Sequence, residues 1–197
     1  EAVRARLVKI GILALQGAFR EHAEALHALD AEVTFVKRPQ HLAGIDAIVL
    51  PGGESTTIDK LLDSSELRGP LADVLAEGLP AFATCAGLIV CARQVVDGRP
   101  DQQPLAVLDV VVRRNGYGRQ RESFEAPLAV VGLAGGTFPG VFIRAPKIEQ
   151  AGSAVEVLAA HEDVPVFGRQ GNVFFSSFHP ELANDLRLHQ LFLSEVG

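Results

Sequence analysis

The chain has 197 residues, 48% of them hydrophobic, a net charge of −6 and a mean hydropathy of +0.21, enough apolar material for one sizeable core. An acidic balance with a pI near 5.5 leaves no basic stripe to neutralise phosphates, so nucleic acid is not an expected partner. No apolar run reaches the ~18 residues of a membrane span, and Glu1 to Arg6 lacks the apolar stretch of a secretion signal, so the expectation is a cytoplasmic protein that meets no membrane. The expected organisation is a single domain over residues 1–197, with 1–7 an extended or disordered leader. The absence of methionine, the initiator included, is what a trimmed start would leave.

Val8 to Leu15 is nearly all apolar and reads as a buried parallel strand feeding the loop at Gln16-Gly17. Phe19, Ala23, Leu26 and Leu29 then recur at helical spacing within Ala18 to Leu29. Val33 to Val36 and Ala47 to Leu50 are strand-like, the latter broken by Pro51-Gly52-Gly53, and helical patterns follow in Thr56 to Leu62 and Leu67 to Glu77. A proline-led strand at Pro80-Ala81-Phe82 runs through Cys85 into an apolar helix, Leu88 to Ala92. Alternating strand and helix predicts a three-layer α/β fold, a mostly parallel sheet with helices on both faces.

The second half changes character. Val107 to Arg113, Phe124 to Val131, Val141 to Arg144, Val155 to Ala160, Val164 to Phe167 and Val173 to Ser177 are short β-rich runs separated by Gly and Pro. They predict additional antiparallel strands, closed by a helix over Asp185 to Val196, with Gly132 to Gly140 as a surface loop.

Three segments carry chemistry. Strand, Thr84-Cys85-Ala86-Gly87 and helix form the layout of a nucleophile elbow, which lifts one side chain above the sheet and aims the first helical amides at what it attacks. An ordinary thiol, with a pKa of about 8.5, is only a few per cent thiolate at neutral pH, and a helix N-terminus beside a proton acceptor is the setting that raises this fraction. Ser177-Phe178-His179-Pro180-Glu181-Leu182 offers that acceptor and an acid. His179 and Glu181, two apart on an extended segment, leave the backbone on the same side, and Pro180 stiffens the pair. Glu181 would hold the imidazole tautomer, completing a Cys85, His179, Glu181 triad. The loop Pro51 to Thr57 supplies glycine amides that can approach an oxyanion, together with the amide of Ala86.

Each piece alone has a plainer reading. A lone cysteine is usually a small buried hydrophobe, the reading Cys91 keeps, a His-Pro-Glu is usually a strand end, and a Gly-Gly is usually only a turn. Their order along the chain is what joins them. Cys85 and Cys91, with five residues between them, fit neither a disulfide scaffold nor a metal site, so no metal is expected. Pro51 to Thr57 lacks the lysine of a nucleotide P-loop, and no Pro-Cys-x-x-Cys follows His179 as a zinc deaminase requires.

The segments that remain carry a resemblance. Leu15-Gln16-Gly17-Ala18 with Glu21-His22, Lys37-Arg38-Pro39, Pro51 to Thr57, the elbow, Arg114-Asn115 with Gly118-Arg119-Gln120, Phe142-Ile143-Arg144-Ala145-Pro146 and Ser177 to Leu182 resemble the class I glutamine amidotransferases. The likeness is greatest to the glutaminase subunits of pyridoxal 5′-phosphate synthase, the PdxT/SNO family. The Cys and His-Pro-Glu pattern marks the superfamily, whereas GGESTT, RNGYGRQ and FIRAP mark the subfamily. The family's elbow reads Gly-Thr-Cys-Ala-Gly, and here Ala83 takes the glycine's place.

The resemblance implies a flavodoxin-like fold and hydrolysis of L-glutamine to L-glutamate and ammonia through a γ-glutamyl thioester on Cys85. It places Gly53, Glu54, Ser55, Arg114, Ile143 and Arg144 at the glutamine, the amides of Gly53 and Ala86 in the oxyanion hole, and Gln16 and Gly52 in support of the site loop; Arg119 stays open. An arginine there suits the α-carboxylate of free glutamine. It further implies no cofactor, pyridoxal 5′-phosphate being the product of the complex, and a synthase partner of the PdxS/SNZ family, a (β/α)₈ barrel. Two other readings stand beside it. One is a stand-alone Cys-dependent hydrolase, such as a γ-glutamyl hydrolase or PfpI-like peptidase, and the other is a catalytically silent binding subunit.

Overall fold

A computed structural model describes residues 6–197; of the leader expected at 1–7, all but Arg6 and Leu7 lies outside them. The first half alternates as its periodicity predicts. Its elements are β1 (Lys9–Leu13), α1 (Phe19–His27), β2 (Glu32–Val36), β3 (Ala47–Leu50), α2 (Ser55–Ser64), α3 (Arg68–Ala76), β4 (Ala81–Thr84) and α4 (Ala86–Cys91). Then come β5 (Ala92–Val95), β6 (Leu108–Arg113), β7 (Ser123–Leu128), β8 (Phe138–Ile143), β9 (Lys147–Ala151), β10 (Glu156–His161), β11 (Val164–Gln170), β12 (Val173–Ser176) and α5 (Arg187–Ser194).

Seven strands form the central sheet in the order β10-β11-β12-β4-β3-β1-β2, with β12, β4, β3, β1 and β2 parallel and β10 and β11 antiparallel at one edge. Successive side chains of a strand point to opposite faces, and this divides the core in two. Ile10, Ile12, Val49, Phe82 and Phe174 face α1 and α5, where Leu26, Leu188 and Phe192 meet them. Leu13, Ile48, Leu50, Ala83 and Phe175 face α2, α3 and α4, covered by Ile58, Leu62, Leu71 and Leu88. Both faces of β3 and β4 are therefore buried, which is why these strands are continuously apolar in sequence. Each fully buried Phe, Leu or Ile contributes roughly 1.5–3 kcal/mol of transfer free energy. Among the described residues no helix is long and apolar enough to cross a membrane.

The second half departs from expectation in three places. Strand β5 follows α4 without a turn, and β9 begins just after Pro146; both pair with β6 in a separate three-stranded sheet. Neither Ala-Arg-Gln-Val nor Lys-Ile-Glu-Gln-Ala is an apolar strand by its own pattern, so pairing with β6 decides their state. The expected loop over Gly132 to Gly140 ends early, because Phe138 to Gly140 open β8. Pro127 and Pro139 lie opposite each other in the two-stranded sheet β7-β8, where each strand is an edge and a missing N–H is tolerated.

Candidate active site

The parallel strands β1, β3, β4 and β12 all point the same way, so the segments after their C-terminal ends gather at one edge of the sheet, the usual place for a site in an open α/β fold. Those segments hold Gln16, Gly52 to Ser55, Cys85 and His179. Cys85 sits at φ 50°, ψ −105°, a strained conformation for a residue with a Cβ and the mark of a strand turning sharply into a helix. Its amide donates to the Ser176 carbonyl at 2.8 Å and its own carbonyl accepts from Ile89 at 3.2 Å, which fixes the turn from β4 into α4 against the end of β12. Gly87 lies against the Leu50 carbonyl so closely that a Cβ would collide with it, and this lets α4 start directly over β3. Ala83 is within β4, paired to Leu50 and Phe175, and is not among the residues of positive φ. Within the elbow the strain falls on Cys85, and a methyl at position 83 is accommodated.

His179 and Glu181 meet as the spacing predicts but on a different backbone. The segment is not extended through residue 181; a single 3₁₀ turn over Pro180–Leu182 follows His179, because proline at the first helical position is already set to the right φ. The turn brings His179 Nδ1 to 2.6 Å from Glu181 Oε1. The His179 amide is fixed by the Val141 carbonyl at 2.8 Å. Burial works against a charge on the His179 ring, yet the hydrogen bond to Glu181 and the neighbouring Cys85 sulfur push its pKa up to about 10. Burial likewise opposes the Glu181 charge, and the facing His22 and His179 rings hold its pKa below the ordinary carboxylate value.

The glycine loop is held from below. Gly52 accepts from the Ala18 amide at 2.9 Å, and Glu54 donates its amide to Gln16 Oε1 at 2.8 Å, so the Gly53 peptide lies between two fixed points. A Cβ on Gly52 would stand 2.5 Å from His179 Cε1 and 3.2 Å from Cys85 Cβ. The Glu54 side chain caps α2, taking hydrogen bonds from the amides and hydroxyls of Thr56 and Thr57. Partial burial opposes its charge, but these bonds prevail and bring its pKa down to about 2. Arg114 reaches Glu54 Oε1 at 3.4 Å, its own backbone amide held by Asp97 at 2.7 Å.

Gln16, Gly53, Glu54, Ser55, Cys85, Arg114, Ile143, Arg144 and His179 line one cleft of about 380 Å³, together with Ile89 and Asn115. Gly52 lies beneath the imidazole, Ala86 opens α4 behind the sulfur, and Glu181 stands behind His179. Arg119 lies apart, in a neighbouring hollow with Tyr117, Arg121 and Glu122. Cys91 is fully buried, and burial pushes its thiol up to about 12, which leaves it inert.

Sequence reasoning did not find the layer behind Glu181. His22 and His189 are wholly enclosed there, and burial, the largest influence on each, lowers both pKa values, that of His189 to about 3. The signal was present in α1: His22 falls four residues before Leu26 on the apolar stripe, where a polar ring needs an internal partner.

The comparisons with known proteins give the family. Residues 12–197 match the SNO glutamine amidotransferase family. The pyridoxal 5′-phosphate synthase subunit PdxT of Frankia casuarinae is 55% identical over 188 residues, 95% of this chain and 94% of that protein. The subunit of the same name from Geobacillus kaustophilus is 52% identical over 96% of this chain and 95% of its own length. A crystal structure of a glutamine amidotransferase superposes with a TM-score of 0.90 at 51% identity, covering 95% of this chain and 98% of that one. PurLQS from Thermotoga maritima, at 16% identity, shares the fold alone, with a TM-score of 0.69. A match that runs from within β1 to the last residue shows that the chain belongs to the SNO family of glutamine amidotransferases.

Proposed function

We propose that this chain works as one cytoplasmic glutaminase domain, the subunit that supplies ammonia to a pyridoxal 5′-phosphate synthase. The observation that carries the reading is the convergence of Cys85 and His179 in one cleft, with Nδ1 of that imidazole at 2.6 Å from the enclosed Glu181 carboxylate. Glu181 fixes the ring so that Nε2 is left to exchange a proton with sulfur. His179, its pKa raised to about 10, holds the proton that the Cys85 thiol gives up, and the sulfur attacks the side-chain carbonyl carbon of L-glutamine. The carbonyl oxygen becomes an oxyanion against the amides of Ala86 and Gly53, each such donor contributing about 3–4 kcal/mol. Collapse of this intermediate breaks the C–N bond; His179 returns the proton to the departing ammonia and a γ-glutamyl thioester remains on Cys85. Water, giving a proton to His179, then attacks the thioester, and glutamate leaves as the sulfur regains its proton.

Glutamine as a free amino acid carries both an α-carboxylate and an α-ammonium. Arg114 at the cleft wall suits the first and Glu54 beside it the second, while Ser55, Ile143 and Arg144 complete the wall. Ammonia released into neutral water is mostly protonated and loses its lone pair, so the reaction is useful only when a second site collects it directly. The relatives' names, synthase subunits, support a partner of the PdxS/SNZ kind, a (β/α)₈ barrel, and the chain itself then requires no cofactor. Docking of that partner would rearrange the peptide of Gly52 and Gly53, now held by Ala18 and Gln16.

Glutamate release by wild type and Cys85→Ala, each with and without the synthase subunit, tests the scheme. The expected result is a rate in the complex several-fold above that of the isolated chain, and a loss of about 10⁴-fold or more in Cys85→Ala. Activity retained by Cys85→Ala would overturn the nucleophile, and equal rates with and without the synthase would instead favour a stand-alone hydrolase.

A further inference from the structure

Behind the proposed triad lies an enclosed pair of imidazoles that the reaction scheme does not use. His22 of α1, His189 of α5 and the Glu181 side chain are each 0% exposed. His22 Nδ1 is 2.9 Å from His189 Nε2, and His22 Nε2 is 3.1 Å from Thr84 Oγ1 and 3.3 Å from Glu181 Oε2. One nitrogen thus faces both the residue that precedes Cys85 and the acid of the triad.

The partners decide where the protons sit. With the His22 proton on Nδ1, the bare Nε2 would face a carboxylate oxygen at 3.3 Å, acceptor against acceptor, and His189 would carry its own proton on Nδ1, which has no acceptor among the described residues. With both protons on Nε2, His189 donates to His22 Nδ1, and the His22 Nε2–H, hydrogen-bonded to Thr84 Oγ1, stands 3.3 Å from Glu181 Oε2. That oxygen has no hydrogen bond among the described residues, whereas Oε1 is engaged by His179. An enclosed carboxylate oxygen without a donor is costly, and His22 is the nitrogen beside it.

We propose that His22, its tautomer set by His189, is a positioning residue for the reaction: its Nε2–H ties the outer oxygen of Glu181 to the strand end that carries Cys85 and so keeps the inner oxygen on His179. The inference rests on the glutaminase reading of the site. His22 does not line the cleft, so it acts on placement and not on glutamine binding. The ionisable groups that face it are Glu181 and His179 from the 179–182 segment, His189 from α5 and Glu21 from its own helix.

The test compares wild type, His22→Leu and His22→Gln in complex with the synthase subunit, measuring kcat, KM and pH profile. Alongside it, the pH dependence of Cys85 alkylation by iodoacetamide is followed, which needs no glutamine. Leucine removes the N–H and glutamine restores one near the place of Nε2. His22→Leu should lower kcat about 10- to 100-fold with KM within about threefold. The acid limb of both profiles should move to higher pH, because a buried carboxylate that loses a donor takes up a proton more readily. His22→Gln should stay within about threefold of wild type with the limb unmoved. A folded His22→Leu with wild-type kcat or an unmoved limb overturns the proposal, as does a His22→Gln that falls as far as the leucine variant. Should His22→Leu not fold, His189→Phe is read on the same profiles, since it keeps a ring beside Phe82 and deletes the donor to His22. A limb moved upward then supports the clamp and an unmoved limb overturns it. If wild type is alkylated but releases no glutamate, the glutaminase reading fails, and the alkylation profiles still decide the clamp.

Discussion

The two flanks of the His179–Glu181 pair are made of opposite materials. The cleft flank carries glycines and charges on loops, Gly52, Gly53, Glu54, Arg114 and Arg144. The inner flank carries His22, His189 and Thr84 on regular elements, with no solvent contact. Histidines on the two sides are all buried, yet His179 is pushed up to about 10 and His189 down to about 3. Burial disfavours the cation in both, so the partner makes the difference: His179 has a carboxylate and a sulfur to face, whereas His189 has another imidazole. The cleft flank is arranged for charge to move, and the inner flank keeps its imidazoles neutral.

The sharpest way to break this contrast is to add one methyl to the cleft flank. In Gly52→Ala the new Cβ would stand 2.5 Å from His179 Cε1, so the ring or the loop must move. A displacement of this order costs about 100-fold in rate, and we expect that loss in kcat/KM for glutamate release with far-UV circular dichroism unchanged. A Gly52→Ala chain with wild-type activity would mean that the ring's position is not decisive. Next in size is Arg114→Gln. Loss of a charged hydrogen bond to the α-carboxylate, about 1.5–3 kcal/mol, predicts a rise in KM for glutamine of roughly 10- to 100-fold with a smaller change in kcat. An unchanged KM would show that Arg114 serves only Glu54, 3.4 Å away.

Three parts of the site were legible in the sequence because each is local, whereas Glu54, Arg114 and Arg144 entered only through the family resemblance. The elbow, His-Pro-Glu and the glycine loop are short segments whose chemistry follows from neighbours one to three residues apart, and a parallel sheet then delivers them to one edge. What local spacing gives is the residue and not always its posture. The Glu54 carboxylate is engaged in capping α2, and residue 181 is reached through a 3₁₀ turn. Strands β5 and β9 were invisible because their polar sequences become strands only by pairing with β6. The inner flank was hidden for the same reason on a larger scale. His22 meets His189 across 167 positions and Thr84 across 62, distances that no periodicity encodes.

The inner flank's own signature, smaller than the kinetic effects, is in stability against pH. His22 and His189 have folded pKa values below the unfolded value of 6.5, so each contributes stability that is fully present above pH 6.5 and is lost as pH falls toward the folded value, about 3 for His189. Glu54 and Glu181, also depressed, contribute stability that is present above pH 4.5 and is lost only below it, down to about 2 for Glu54. His179 does not enter this range, being protonated in both folded and unfolded states below pH 6.5. The window from pH 6.5 to 4.5 therefore belongs to the enclosed imidazoles, and urea midpoints should fall across it in wild type. In His189→Phe one of the two imidazoles is gone, so the slope in that window should flatten while the loss below pH 4.5 persists. Equal slopes in the two proteins would mean that His189 takes up its proton within the fold, and that the inner flank is wetter than its packing against Phe82 indicates.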